Sequence, residues 1–203
     1  MTQVDLRCRC GALQGTLSEI APRNATRLVC MCDDCQAFAH FLERDDVLDA
    51  AGGSDLYQVR PAHLRVTQGA EQLRCMRLSP KGLMRWYTDC CRSPVANTLD
   101  KAHVPFAGVS TALIVPPAGR SLDDVLGPPV GYLMAKDARG PAPAGAHQEV
   151  PKRVLLRIMR FLAVGLVTRK ASPSPFFDTR SKQPVVTPRV LTKPERDALR
   201  PTA

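Results

Sequence analysis

Seven of the eight cysteines in this chain stand in three tight groups. The stretch "LRCRCGALQG" carries Cys8 and Cys10, "VCMCDDCQAF" carries Cys30, Cys32 and Cys35, and "RWYTDCCRSPVANT" carries Cys90 and Cys91. A Cys-x-Cys pair makes a poor disulfide, because the closed ring is small and its dihedral strained. The start of the chain, "MTQVDLRCRC", has no apolar run of the kind a secretory signal needs. The expected location is therefore cytoplasmic, where thiols stay reduced and clustered cysteines point to metal or catalysis.

Zinc asks for three or four soft ligands in a tetrahedron at about 2.3 Å. Short Cys-x-Cys and Cys-x-x-Cys spacings supply two ligands from one turn, and the fold must bring the others. Cys8 and Cys10 form one half of such a site, and Cys90 and Cys91 form a partner half. Together they would close a structural zinc with four thiolates. Cys30, Cys32 and Cys35 form a second unit with three ligands and an open position, the pattern of a catalytic zinc. A fourth ligand such as His40, or one merged cysteine-rich site, would remove that vacancy. The expected cofactor is zinc, one or two per chain. Cys75 stands alone in a strand-like run and reads as a small core hydrophobe.

The chain has 203 residues, 44% of them hydrophobic, enough for one ordinary domain plus an extension or for two small domains. Up to about residue 115 it reads as short strands broken by Gly, Pro, Asn or Ser, among them "VDLRCRC", "LYQVRP", "EQLRCMRL" and "LMRWYTDC". One segment departs from this: "DDCQAFAHFLERDD" offers Asp33 or Asp34 as an N-cap, then a helical run with Phe38, Phe41 and Leu42 on one face. The expected organisation is a zinc-binding β domain over 1–135, a Pro/Gly/Ala-rich linker over 136–151 and a C-terminal extension over 152–203.

That extension holds the whole net charge of +9: twelve Lys and Arg stand there against Asp178, Glu195 and Asp197. It opens with a helix over about 152–168 and ends in a proline-rich tail, expected to run extended over a surface or stay disordered. In the helix Arg153, Arg157 and Arg160 share one stripe and Leu155, Ile158, Met159 and Leu162 another. Such a helix suits nucleic acid, an anionic membrane surface, an acidic protein or a homodimer contact, or it simply buries its apolar face on the domain. No apolar run approaches the roughly 18 residues that span a bilayer.

The motifs combine into a resemblance. Cys-x-Cys-Gly-Ala from Cys8, the Cys-x-Cys-x-x-Cys of Cys30, Cys32 and Cys35, and the aromatic-x-x-x-Cys-x-Ser-Pro from Tyr87 to Pro94 resemble the glutathione-dependent formaldehyde-activating enzyme family, whose relatives include centromere protein V and many uncharacterised bacterial proteins. The likeness implies a mainly β chain: a β-tent of small antiparallel sheets around zinc, here with a C-terminal α-helical extension. It implies a structural zinc on Cys8, Cys10 and the late cysteines, and a second zinc on the triplet linked to glutathione. The activity implied is that of a carbon–sulfur lyase, or of an enzyme forming thiol adducts with a small aldehyde. The late motif departs from the family's Phe-Cys-x-x-Cys-Gly-Ser: Thr88 stands for the first cysteine, Cys90 is the thiol next door, and Arg92 replaces glycine. That marks a divergent branch whose substrate need not be the family's. His40, Asp33 and Asp34 are the neighbours able to move a proton, and Arg44 or Arg92 could hold the carboxylates of a glutathione-like ligand. The alternative to an enzyme is a non-catalytic zinc-stabilised module whose basic helix contacts an anionic partner.

Overall fold

In a computed structural model, residues 2–20 and 27–200 are described; the outer limits expected for the two end segments, Met1 and Ala203, lie outside them. The strands are β1 (Thr2–Arg7), β2 (Gln14–Ile20), β3 (Arg27–Cys30), β4 (Ser54–Val59), β5 (Leu64–Gln68), β6 (Leu73–Arg77), β7 (Met84–Thr88), β8 (Pro94–Thr98), β9 (Ala107–Ser110), β10 (Ile114–Val115), β11 (Tyr132–Leu133) and β12 (Arg189–Val190). The helices are α1 (Asp33–Phe41), α2 (Leu122–Leu126), α3 (Lys152–Val167) and α4 (Lys193–Leu199). The protein is mainly β.

Among the described residues, the strands form two sheets. One runs β10-β1-β2-β5, all antiparallel; the other runs β11-β3-β4-β9-β8-β7-β6-β12. In the larger sheet only the outermost strands, β11 on β3 and β12 on β6, pair in parallel. Alternation explains how the sheets meet. Val4 and Leu6 of β1 and Leu17 of β2 face inward, as do Cys75 of β6 and Trp86 of β7 directly opposite it, and all belong to one core. Trp86 is wholly buried and donates its indole N–H to Thr98 Oγ1 at 2.9 Å, so its polar atom is satisfied inside the core. β8 is buried along its whole length because it lies between β7 and β9 with both faces covered.

The proline-rich tail is part of this packing. Phe176 stacks on Trp86 with ring centroids 4.9 Å apart, Phe177 meets the same ring edge-on at 6.3 Å, and both phenylalanines are buried. Further on, β12 extends the large sheet, Leu191 enters a small core with Phe38 and Leu42, and α4 lies on α1. The tail therefore neither hangs free nor merely covers a surface. Helix α1 begins one residue earlier than its acidic pair suggests: Cys32, in extended conformation, is the N-cap, and Asp33 and Asp34 fill the first turn, where carboxylates favour the helix dipole. No described helix is long and apolar enough to cross a membrane.

Candidate metal centres

The first cluster forms where two hairpin turns from different sheets meet. Cys8 directly follows β1, and its backbone closes a tight turn in which Gly11 takes a φ of +81°, a conformation that favours glycine. The Cys8 sulfur accepts the amide N–H of Leu13 at 3.2 Å. Cys90 and Cys91 lie in the turn from β7 to β8, closed by Thr88 N–H donating to the Ser93 carbonyl at 3.0 Å. The four sulfurs of Cys8, Cys10, Cys90 and Cys91 all fall within 4.8 Å of one another. The Cys8–Cys10 separation is 3.7 Å, Cys8–Cys90 3.9 Å, Cys10–Cys90 3.3 Å and Cys90–Cys91 3.7 Å. A tetrahedron with metal–sulfur bonds of about 2.3 Å has edges of about 3.8 Å. These separations lie around that edge, so the group could hold a metal ion.

Thr88 and Arg92, the two departures in the late motif, both have defined partners. Thr88 Oγ1 accepts the Ser93 N–H at 3.0 Å and lies 3.4 Å from the Cys91 sulfur, so the hydroxyl supports the turn. Arg92 has a φ of +52° and donates from Nε to the Leu42 carbonyl at 3.1 Å and from Nη2 to that of Phe41, with its guanidinium over the Phe41 ring. Those carbonyls end α1 and have no helical partner, so Arg92 caps the helix. Arg44 donates to Ser93 Oγ at 3.1 Å and pairs with Asp46, bracing the same turn from behind. Both arginines are thus occupied by the fold.

The second cluster is local. Cys30 ends β3, Cys32 caps α1 and Cys35 lies in its first turn, with all three sulfurs within 4.8 Å of one another. Among the described residues no His, Asp or Glu joins this group, so it offers a metal three ligands. Gln36, completely buried, fixes the loop: its side-chain amide donates to the carbonyls of Met31, between the first two cysteines, and Asp137. His40 is turned elsewhere, with Nδ1 2.7 Å from the Leu199 carbonyl oxygen and Nε2 3.3 Å from Asp45. Asp34 is held by Arg200 at 3.2 Å and, more distantly, by Arg85.

Arg85 and Asp137 are the neighbours that sequence reading missed. Arg85 is only 3% exposed, its guanidinium lying over the Phe38 ring. In the metal-free protein, hydrogen bonds from Cys30 and Cys32 hold the Cys35 thiol well below its ordinary range against burial, and the Arg85 charge adds to this. Cys30 is pushed up by the same thiol contacts, and Cys32 to about 11. Burial raises the Asp137 carboxyl, and the nearby charges of Asp33 and Cys32 push the same way. A charged residue between Met84 and Trp86 was the one sequence signal for Arg85; Asp137 is remote in sequence and left none. Cys75 is buried in the core, its thiol pushed up to about 12 by burial.

The fold and these sites define a mainly β protein with two cysteine clusters, each able to hold a metal ion. The chain belongs to the family described as "Family of unknown function (DUF6151)", which matches residues 1–187. Among solved structures it is similar to a Rhodobacter sphaeroides protein, with 21% identity over 59% of this chain and 93% of that chain and a TM-score of 0.40. No curated protein matches it.

Proposed function

We propose that this chain is a two-centre zinc protein of the β-tent type. Cys8, Cys10, Cys90 and Cys91 hold a structural zinc that ties the β1–β2 turn to the β7–β8 turn. Cys30, Cys32 and Cys35 hold a second zinc with one open position, which takes a small thiol such as glutathione. The observation that carries the reading is the difference between the clusters: four sulfurs at tetrahedral separations in one, three without a fourth described ligand in the other. Zinc bound at the triplet would supply the charge that turns an incoming thiol into a thiolate.

The reaction that suits this site is addition of the thiol to a small aldehyde, or its reverse. A carbon–sulfur bond forms, the carbonyl π bond breaks, and the proton leaving sulfur ends on the former carbonyl oxygen. Arg85 adds its charge beside Cys35 in favour of the thiolate, and Gln36 fixes the loop. Asp34 is engaged by arginines, which leaves Asp33 and Asp137, whose charges act on each other beside Cys32, as the carboxyls we assign to carry the proton. The test is zinc content by elemental analysis in the wild type and in Cys32→Ser and Cys91→Ser. Two zincs per chain, each variant losing one, is the expected result, followed by adduct formation from glutathione and formaldehyde in the NMR spectrum. A folded protein with the triplet unmetallated would end the enzyme reading.

A second reading rests on α3, of which only Val154 and Gly165 are buried. Leu155, Leu156, Met159, Leu166 and Val167 are exposed on the helix beside Arg153, Arg157 and Arg160. An apolar stripe flanked by arginines fits an anionic membrane surface better than nucleic acid, which offers nothing to an apolar face. Salt-dependent sedimentation with anionic vesicles, absent with neutral ones, is the expected behaviour on that reading.

A further inference from the structure

α3 touches the rest of the protein near its two ends. Val154 packs with Leu28 and Leu133. At Gly165 the backbone comes so close that an added Cβ would lie 2.7 Å from Pro105. Between these points the helix stands over β2 and β4 and leaves a cleft of about 690 Å³. That is the size of a small-molecule site.

The lining is strongly cationic. Arg60, Arg153, Arg157 and Arg160 all face the cleft, and no described carboxylate pairs with any of them. The lone acid in the lining, Glu19, lies 3.2 Å from His63 Nε2 and 3.9 Å from Lys170 Nζ. Arg60 is held in place by stacking on Phe161, 4.8 Å from the ring centroid. Val59, Leu156, Phe161 and Val164 supply apolar wall. Arg60 also carries a buried donor, Nε, with no hydrogen-bond partner among the described residues. Proteins seldom leave such atoms unmatched unless something else supplies the partner.

We propose that this cleft binds a small amphipathic organic anion, an oxyanion head on an apolar body, distinct from whatever the cysteine centres take. The arginine forks match a carboxylate or phosphate head, and the Phe161 side of the cleft takes the body.

The test uses the full zinc-loaded chain, titrated calorimetrically with decanoate, decanol and inorganic phosphate. Decanoate is expected to bind one to one, with decanol and phosphate each at least about tenfold weaker. Arg60→Gln, at the inner wall, and Arg157→Gln, at an exposed position, should each weaken decanoate about tenfold with circular dichroism and zinc content unchanged. Displacement of decanoate by phosphatidylglycerol vesicles would assign the anion to a lipid, and its absence to a free acid; both uphold the cleft. Decanol or phosphate binding as tightly as decanoate, indifference to Arg157→Gln, or no decanoate binding in the millimolar range would overturn it. Should Arg60→Gln not fold, Arg157→Gln alone decides.

Discussion

Arg92 shows how a single substitution in a motif is absorbed. A non-glycine residue at a φ of +52° costs about 1–2 kcal/mol, and each hydrogen bond from a charged group returns about 1.5–3 kcal/mol. Its two bonds to the end of α1 therefore outweigh the strain. Arg92→Gly should relieve the backbone yet lower stability by about 1–5 kcal/mol in urea unfolding; a more stable variant would show that strain dominates. The neighbouring Arg85 acts on charge. Because it supports the Cys35 thiolate from outside the ligand set, Arg85→Gln should weaken metal at the triplet by about tenfold in competition with a chelating dye. Metal on the first cluster should be unaffected. The departures at Thr88 and Arg92 were visible in the sequence; the compensation for Arg92 was not, since Phe41 and Leu42 lie some fifty residues away, whereas Thr88 is met locally by Ser93 and Cys91.

At the scale of elements, the sequence was most informative where a period repeats. The short strands and the amphipathic run of α3 follow from alternation and from 3.6-residue spacing, and the cysteine groups follow from spacing alone. The tail left no such signal. Phe176 and Phe177 are adjacent in a proline-rich stretch, and two aromatics in a row define no face. Only the cavity beside Trp86 explains them. Phe176→Ala should cost about 3–5 kcal/mol, because it empties a site that is completely closed to water. Thermal or urea unfolding measures this, and a cost under about 1 kcal/mol would mean that the tail is only loosely docked. The ion pairs of Arg27 with Asp55 and Asp123 are a second long-range contact hidden from the sequence: Arg27 is buried, and because Asp123 remains its partner, Asp55→Ala should cost about 1–3 kcal/mol in urea unfolding.

The first cluster acts on the whole molecule, since its two halves come from different sheets. A metal there cross-links the fold, and pH sets its hold. In the metal-free protein Cys90 is pushed up to about 12, by desolvation first and then by the Cys10 thiol; Cys91 is lowered to about 5 by Ser93 and Thr88 against desolvation. Cys91 binds its proton less tightly in the folded state than the ordinary 9.0, so it favours folding above pH 9 and loses that contribution as pH falls toward 5. Cys90 has the opposite sign: it favours folding below pH 9 and loses that contribution as pH rises toward 12. Metal reverses the Cys90 effect, because only thiolates bind and each proton must leave first. Binding to the folded state alone adds stability that grows with affinity. Zinc-loaded protein should therefore lose melting temperature steeply between pH 8 and pH 5, with zinc released to a dye over the same range. Chelated protein should melt lower at pH 8; it too loses the Cys91 contribution toward pH 5, and unlike zinc-loaded protein it also loses the Cys90 contribution above pH 9. Equal melting temperatures with and without zinc at pH 8 would mean that the hydrophobic core joins the sheets unaided and that the cluster serves another purpose.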